Sequence, residues 1–202
     1  MKKAFWISAV SAVLLSGCGS NEVKQAPAKP QPAPVADCVF PETNTPAPGW
    51  ICSEPVPGLA VSAVGIAEKS KAGLSFMRDQ AVLDARGQLA EQMKVQVQKM
   101  VKQYLGTTGI QDDETVDAAA SSTAKSITAQ TLVGSKVYKT RVGPNGRMYV
   151  LVGITPEDVK KITEQALKTS YNNDRALWQQ FKAKQSFDEM AAEIAKQMSE
   201  GQ

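Results

Sequence analysis

There is no histidine among the 202 residues. That absence removes Ser-His-Asp and Cys-His nucleophile systems, HExxH zinc sites and any imidazole-based pH switch. Cysteine is scarce: Cys18, Cys38 and Cys52 are the whole supply. Their spacing excludes a CxxC redox centre, and with no other thiol and no imidazole nearby a metal site is not expected, nor is a cofactor. Long hydrophobic runs are missing too. The run at the start, Ala4 to Leu15, has twelve residues, against the about 20 that a membrane-spanning helix needs. An excess of one charge is also absent: 23 Lys and Arg face 20 Asp and Glu, a net +3 that falls to +1 once Lys2 and Lys3 are left out. A nucleic-acid protein usually shows a concentrated basic surface, so no nucleic-acid partner is expected. Proline is nearly absent from most of the chain, because nine of its eleven residues crowd between Pro27 and Pro57. What is present is ordinary: 43% apolar and 21% charged residues, enough for one globular domain plus a tail.

The first residues carry an address. Met1-Lys2-Lys3 is a short positive start, an apolar core follows, and Ser16-Gly17-Cys18 closes it. This order is that of a secretory signal peptide covering 1–17. The ending Leu15-Ser16-Gly17-Cys18 resembles the lipobox of bacterial lipoproteins. The resemblance implies that the Cys18 thiol receives a diacylglyceryl group, that the peptide before it is cut, and that the new amino terminus is acylated. Each buried methylene contributes about 0.8 kcal/mol, so several acyl chains on one residue would anchor the chain to a membrane permanently. Gly19 stands where an Asp retains many lipoproteins in the inner membrane. The lipoprotein resemblance therefore implies the outer membrane, with the domain facing the periplasm.

Residues 18–58 read as a tether. The text QAPAKPQPAPVAD mixes Pro with Ala, Gln and Lys, a composition that cannot bury enough apolar surface to offset its ordering entropy. It reads as a polyproline spacer rising about 3.1 Å per residue where extended; the other reading of PxxP-like text is a ligand for an SH3 or WW domain. Once Cys18 is lipidated, Cys38 and Cys52 are left as an even pair. In an exported chain such a pair reads as a disulfide, and closing its 15-residue loop would contribute about 3 kcal/mol. The loop carries Phe40, Trp50 and Ile51 and is expected to pin the end of the tether against the domain.

The folded part is expected over 59–170, with a C-terminal helix over 171–202. Leu59 to Ala67 is apolar and β-branched, a first strand. Ser75 to Leu105 is a long helical pattern whose stripe is Val82, Ala85, Leu89, Met93, Val97, Met100 and Tyr104. Asp112-Asp113-Glu114 loads acid onto the start of a second helix, to about Ala129, whose Ala/Ser/Thr face would lie close to another element. Thr131 to Val142, a turn at Gly143-Pro144-Asn145-Gly146, and Arg147 to Ile154 form a hairpin. Thr155-Pro156-Glu157-Asp158 starts a third helix that runs to about Thr169. A last amphipathic helix covers about Asp174 to Met198, with Trp178 and Phe187 off the line set by Leu177, Phe181, Ile194 and Met198. Those two aromatics have two outlets, a deeper groove in the same domain or a partner. The class is α+β: a small antiparallel sheet of about three strands with helices packed on one face.

A resemblance follows from these residues. The glycine-centred strand AVGIA around Gly65, the helix bearing Ala81, Ala85, Arg86, Leu89 and Ala90, and the hairpin ending in YVLVGI (Tyr149 to Ile154) stand behind a lipobox and tether. Together they resemble the LPP-twenty family of bacterial lipoprotein antigens over roughly Leu59 to Thr169. That family includes a flagellar outer-membrane lipoprotein that supports motility, and it supplies no catalytic residues to carry over. The residues themselves agree: Ser122-Thr123-Ala124-Lys125 has SxxK spacing but no oxyanion turn accompanies it, and the glycine turn at 143–146 matches no phosphate loop. The expected protein is therefore not an enzyme. It would be a structural or assembly lipoprotein of the outer membrane, with an envelope protein partner or self-association and no small-molecule substrate. The alternative is a regulatory lipoprotein that binds a peptidoglycan synthase.

Overall fold

The computed structural model describes residues 38–107, 113–179 and 187–200. The lipobox, Cys18 and the first part of the tether, 18–37, lie outside the described residues, as do Asp112 and Phe181. After a short 3₁₀ helix at Gly49–Cys52 come β1 (Val61–Ala67), α1 (Leu74–Thr107), α2 (Asp113–Gly134), β2 (Lys136–Val142), β3 (Met148–Ile154), α3 (Pro156–Asn173), α4 (Arg175–Gln179) and α5 (Phe187–Glu200). The α+β class with three antiparallel strands and helices on one face is what the structure has. The described residues belong to one compact unit, Ala36–Gln202.

The sheet order is β1-β3-β2, so the return strand of the hairpin is central and β1 joins it on the far side. Both pairings are antiparallel, with Val61 opposite Ile154, Gly65 opposite Val150 and Ala67 opposite Met148. Every residue of β3 is buried. Its even positions, with Val61, Ala63 and Ala67 of β1, face the helices, while Tyr149 and Leu151 belong to a separate cluster on the other face.

On the helical side α1 lies along β1 and β3, α2 packs on α1, α3 on α2, and α5 on α3 and α1. The buried line of α1 is Met77, Ala81, Ala85, Leu89, Met93, Val97, Val101 and Leu105, each 3% exposed or less. Every step is four residues, or about 400° at 3.6 residues per turn, so the line winds about 280° round the helix by its end. The first half therefore faces the sheet and the second half faces α2 and α5. This winding corrects the expected straight stripe: Val82, Met100 and Tyr104 are only partly buried, at the margin of the core. Val101 and Leu105 take the places expected of Met100 and Tyr104.

Helix α2 runs on to Gly134, through residues expected to start the second strand. Thr131 is fully buried there, so packing against neighbouring helices overrides its β preference. The small face of α2, with Ala119, Ala120, Thr123 and Ala124 buried, lies against other helices as its composition requires. Helix α3 starts as expected, with the Thr155 hydroxyl accepting from the Asp158 amide at 3.2 Å and Pro156 in the first position. It extends to Asn173, beyond the expected end at Thr169. Trp178, Met190, Ile194 and Met198 are buried in the main core, so the C-terminal segment docks onto its own domain, and the off-line Trp178 turns inward.

Candidate functional site

Cys38 and Cys52 are joined by a disulfide, their Cα atoms 5.9 Å apart. The loop between them lies on the sheet face opposite the helices. Phe40, Trp50 and Ile51 are buried against Tyr149 and Leu151, with Val64 and Leu59 at the margin. Phe40 meets Tyr149 edge to face, the ring centroids 5.4 Å apart, and the Arg141 guanidinium lies over the Phe40 ring, 5.7 Å from its centroid.

The β2–β3 turn clasps this loop. Gly146 adopts φ +79°, and the Gly143 amide donates to the Arg147 carbonyl at 2.9 Å. That turn presents Asn145, whose amide donates to the Pro41 carbonyl at 3.3 Å and to the Tyr149 hydroxyl at 3.2 Å. Arg147 then reaches two carboxylates, Glu42 of the loop at 3.0 Å and Glu68 after β1 at 2.8 Å. Hydrogen bonds to Glu68 and then Glu42 hold the Arg147 guanidinium above its ordinary value, so it stays charged. Loop, hairpin and first strand thus meet at one guanidinium. The sequence carries a signal for the turn but none for its carboxylate partners, which lie far back along the chain.

The Ala-Arg helix motif has a structural account. A side chain at Gly65 would run into the Ala81 carbonyl oxygen and come within 2.5 Å of the Ala85 amide nitrogen. Helix α1 therefore lies directly on the β1 backbone, which only glycine permits. Two further side chains of α1 finish the outer edge of β1: Asp84 accepts from the Ile66 amide at 2.9 Å, and Gln88 donates to the Val64 carbonyl at 3.2 Å. Arg86 reaches the Ser135 carbonyl at 3.4 Å, tying α1 to the α2–β2 junction.

The serines of α2 serve docking. Ser121 is exposed. Ser122 donates to the Asp174 carboxylate, and Ser170 donates to the Ser122 oxygen at 2.8 Å. Trp178 in turn donates its indole N–H to Ser170 at 3.0 Å, so the chain of bonds docks α4 onto α2 and α3. Lys125 has no place in it. Among the described residues no group of three or more Cys, Asp or Glu side chains could hold a metal ion. A cleft of about 520 Å³ opens between β1, the loop after it and α1, lined by Ile66, Phe76, Met77 and Asp84. No described helix is long and apolar enough to cross a membrane.

A three-stranded sheet carried on one winding helix, with its second face closed by a disulfide-bound loop, defines a stapled α+β domain built around the Gly65 contact. The sequence pattern of the LPP20 lipoprotein family matches residues 48–155, from within the disulfide loop to the cap of α3. The chain belongs to that family, and so to the lipoproteins of the cell envelope. The matched stretch starts earlier and ends earlier than the span from Leu59 to Thr169 that carries the resemblance in the sequence. No curated protein matches the chain. No solved structure matches it either.

Proposed function

We propose that this protein is a lipid-anchored, non-catalytic assembly lipoprotein of the outer membrane, held by Cys18 with its domain in the periplasm. The observation that carries the reading is the family match over 48–155, which covers the sheet, α1, α2 and the β2–β3 turn. The polar groups support it: Arg147, Asn145, Asp84, Gln88 and the Ser122–Ser170–Trp178 chain each bind one element of the domain to another. Association with a flagellar layer is the particular assembly role that the family resemblance suggests.

Labelling with a radioactive fatty acid tests the anchor. The wild-type chain takes up label and fractionates with outer membrane, while Cys18→Ser remains an unlabelled precursor. A labelled Cys18→Ser chain would overturn the anchor. Pull-down from detergent-solubilised envelopes tests the role: flagellar or self-assembled components support it, and recovery of a peptidoglycan synthase would overturn it in favour of regulation.

A further inference from the structure

The two outer edges of the sheet are finished differently. On β1, Asp84 and Gln88 of the domain's own helix occupy the Ile66 amide and the Val64 carbonyl. On β2, among the described residues, no side chain and no backbone group outside the sheet hydrogen-bonds to positions 137–142. β2 is also the most exposed strand, with every residue but Val137 exposed. After a register shift between Val137 and Lys139 it pairs regularly with β3 from Lys139 to Val142. An open edge of this kind presents backbone donors and acceptors to another extended chain.

The side chains decide which chain fits. Lys139 and Arg141 sit opposite Leu151 and Tyr149, on the loop-covered face of the sheet. Among the described residues neither pairs with a carboxylate, whereas Lys136 is already engaged by Asp158 at 3.0 Å. Arg141 is held at the edge by Phe40 beneath it. A second copy pairing through the same strand would set Lys and Arg against Lys and Arg, which is destabilising in a cross-strand position. The chain's own tether is no better suited, since Pro27, Pro30, Pro32 and Pro34 lack the N–H groups a ladder needs.

We propose that the outer edge of β2, over Lys139–Val142, docks an extended acidic segment of a partner protein, which adds as a fourth strand with its carboxylates against Lys139 and Arg141. This rests on the assembly reading only for the existence of a partner.

The test uses the full lipidated chain in detergent micelles and a fluorescent seven-residue peptide alternating Glu with Val. Two controls accompany it, one with Lys in place of Glu and one N-methylated at every amide. The Glu peptide binds and raises hydrogen-exchange protection over 139–142, and N-methylation weakens it at least tenfold. Lys139→Glu/Arg141→Glu weakens the Glu peptide at least tenfold and makes the Lys peptide the better ligand, a gain that an unfolded variant could not show. Absence of binding overturns the proposal. So does equal affinity of the N-methylated peptide, which means charge attraction without strand pairing. Protection of 139–142 that rises with protein concentration alone means self-pairing and overturns the acidic partner. If the peptide fails while pull-down still recovers assembly components, this site falls and the assembly role stands. Recovery of a synthase with peptide binding intact removes the assembly role and leaves the strand-docking site in place.

Discussion

Two glycines near α1 make opposite demands. Gly65 has no room for a side chain, because Ala81 and Ala85 occupy the space. Gly65→Val should therefore cost about 3 kcal/mol or more, since backbone on both sides of the contact must move. Gly87, in the exposed middle of α1, has nothing within 4 Å of a built side chain. Gly87→Ala should stabilise by about 1 kcal/mol through helix propensity alone. Urea unfolding midpoints of the two variants check both signs. A Gly65→Val chain as stable as the parent would mean that α1 does not sit on the β1 backbone.

At the level of elements, the disulfide loop acts as the second cover of the sheet. Breaking the Cys38–Cys52 bond opens a loop of 14-residue separation, for which chain entropy predicts a loss of about 3 kcal/mol. Comparing urea midpoints with and without reductant measures it, and coincident curves would show the staple to be inert. The loop also marks how far the sequence can be read. Its cysteines and apolar residues are legible, because exported chains oxidise and Phe40, Trp50 and Ile51 need cover. Its docking face is not, since nothing local states that Tyr149 and Leu151 lie opposite. Elements with strong local grammar, such as the Thr155-Pro156 start of α3 and the glycine turn of the hairpin, can be placed within about a residue or two. The end of α2 escapes such a reading because the β-branched Thr131 and Val133 favour strand locally while tertiary packing holds Thr131 in a helix. The stripe on α1 looks straight in the sequence because a view of a few residues does not show a line that drifts about 40° per step.

For the whole molecule, the C-terminal segment belongs to the core. Ending the chain at Thr169 would remove Trp178, Met190, Ile194 and Met198, all buried. At roughly 1.5–3 kcal/mol for each large apolar side chain, that loss rivals the whole stability of a typical domain, about 5–15 kcal/mol. The truncated chain should therefore lose its cooperative thermal transition, read by circular dichroism; a transition near the parent's would sink this account. The pH profile follows from the missing histidine. Hydrogen bonding to Lys136 holds the Asp158 carboxyl below its ordinary value, so the stability it lends is present at neutral pH and is lost as pH falls below about 4. Lys136, bonded to Asp158, is raised, and so is Tyr104, by burial first and then by Glu189 and Glu193. What these two lend is complete below about pH 10 and is lost as pH rises beyond it. Thermal midpoints should thus be level from about pH 5 to 9, with a fall on either side. A step between about pH 6 and 7, the histidine range, would contradict this profile.

The disulfide also sets a path for mechanical load. Any pull arriving along the chain from its N-terminal side reaches Cys38 first. There it crosses the sulfur bridge to Cys52 and passes on toward β1, leaving residues 39–51 slack. The aromatic cover, the Arg141 contact and the Arg147–Glu42 pair then carry no tension. With the bridge reduced, the same pull would first peel that loop from the sheet, releasing on the order of 45 Å of extended chain and baring Tyr149 and Leu151 before the sheet itself felt any strain.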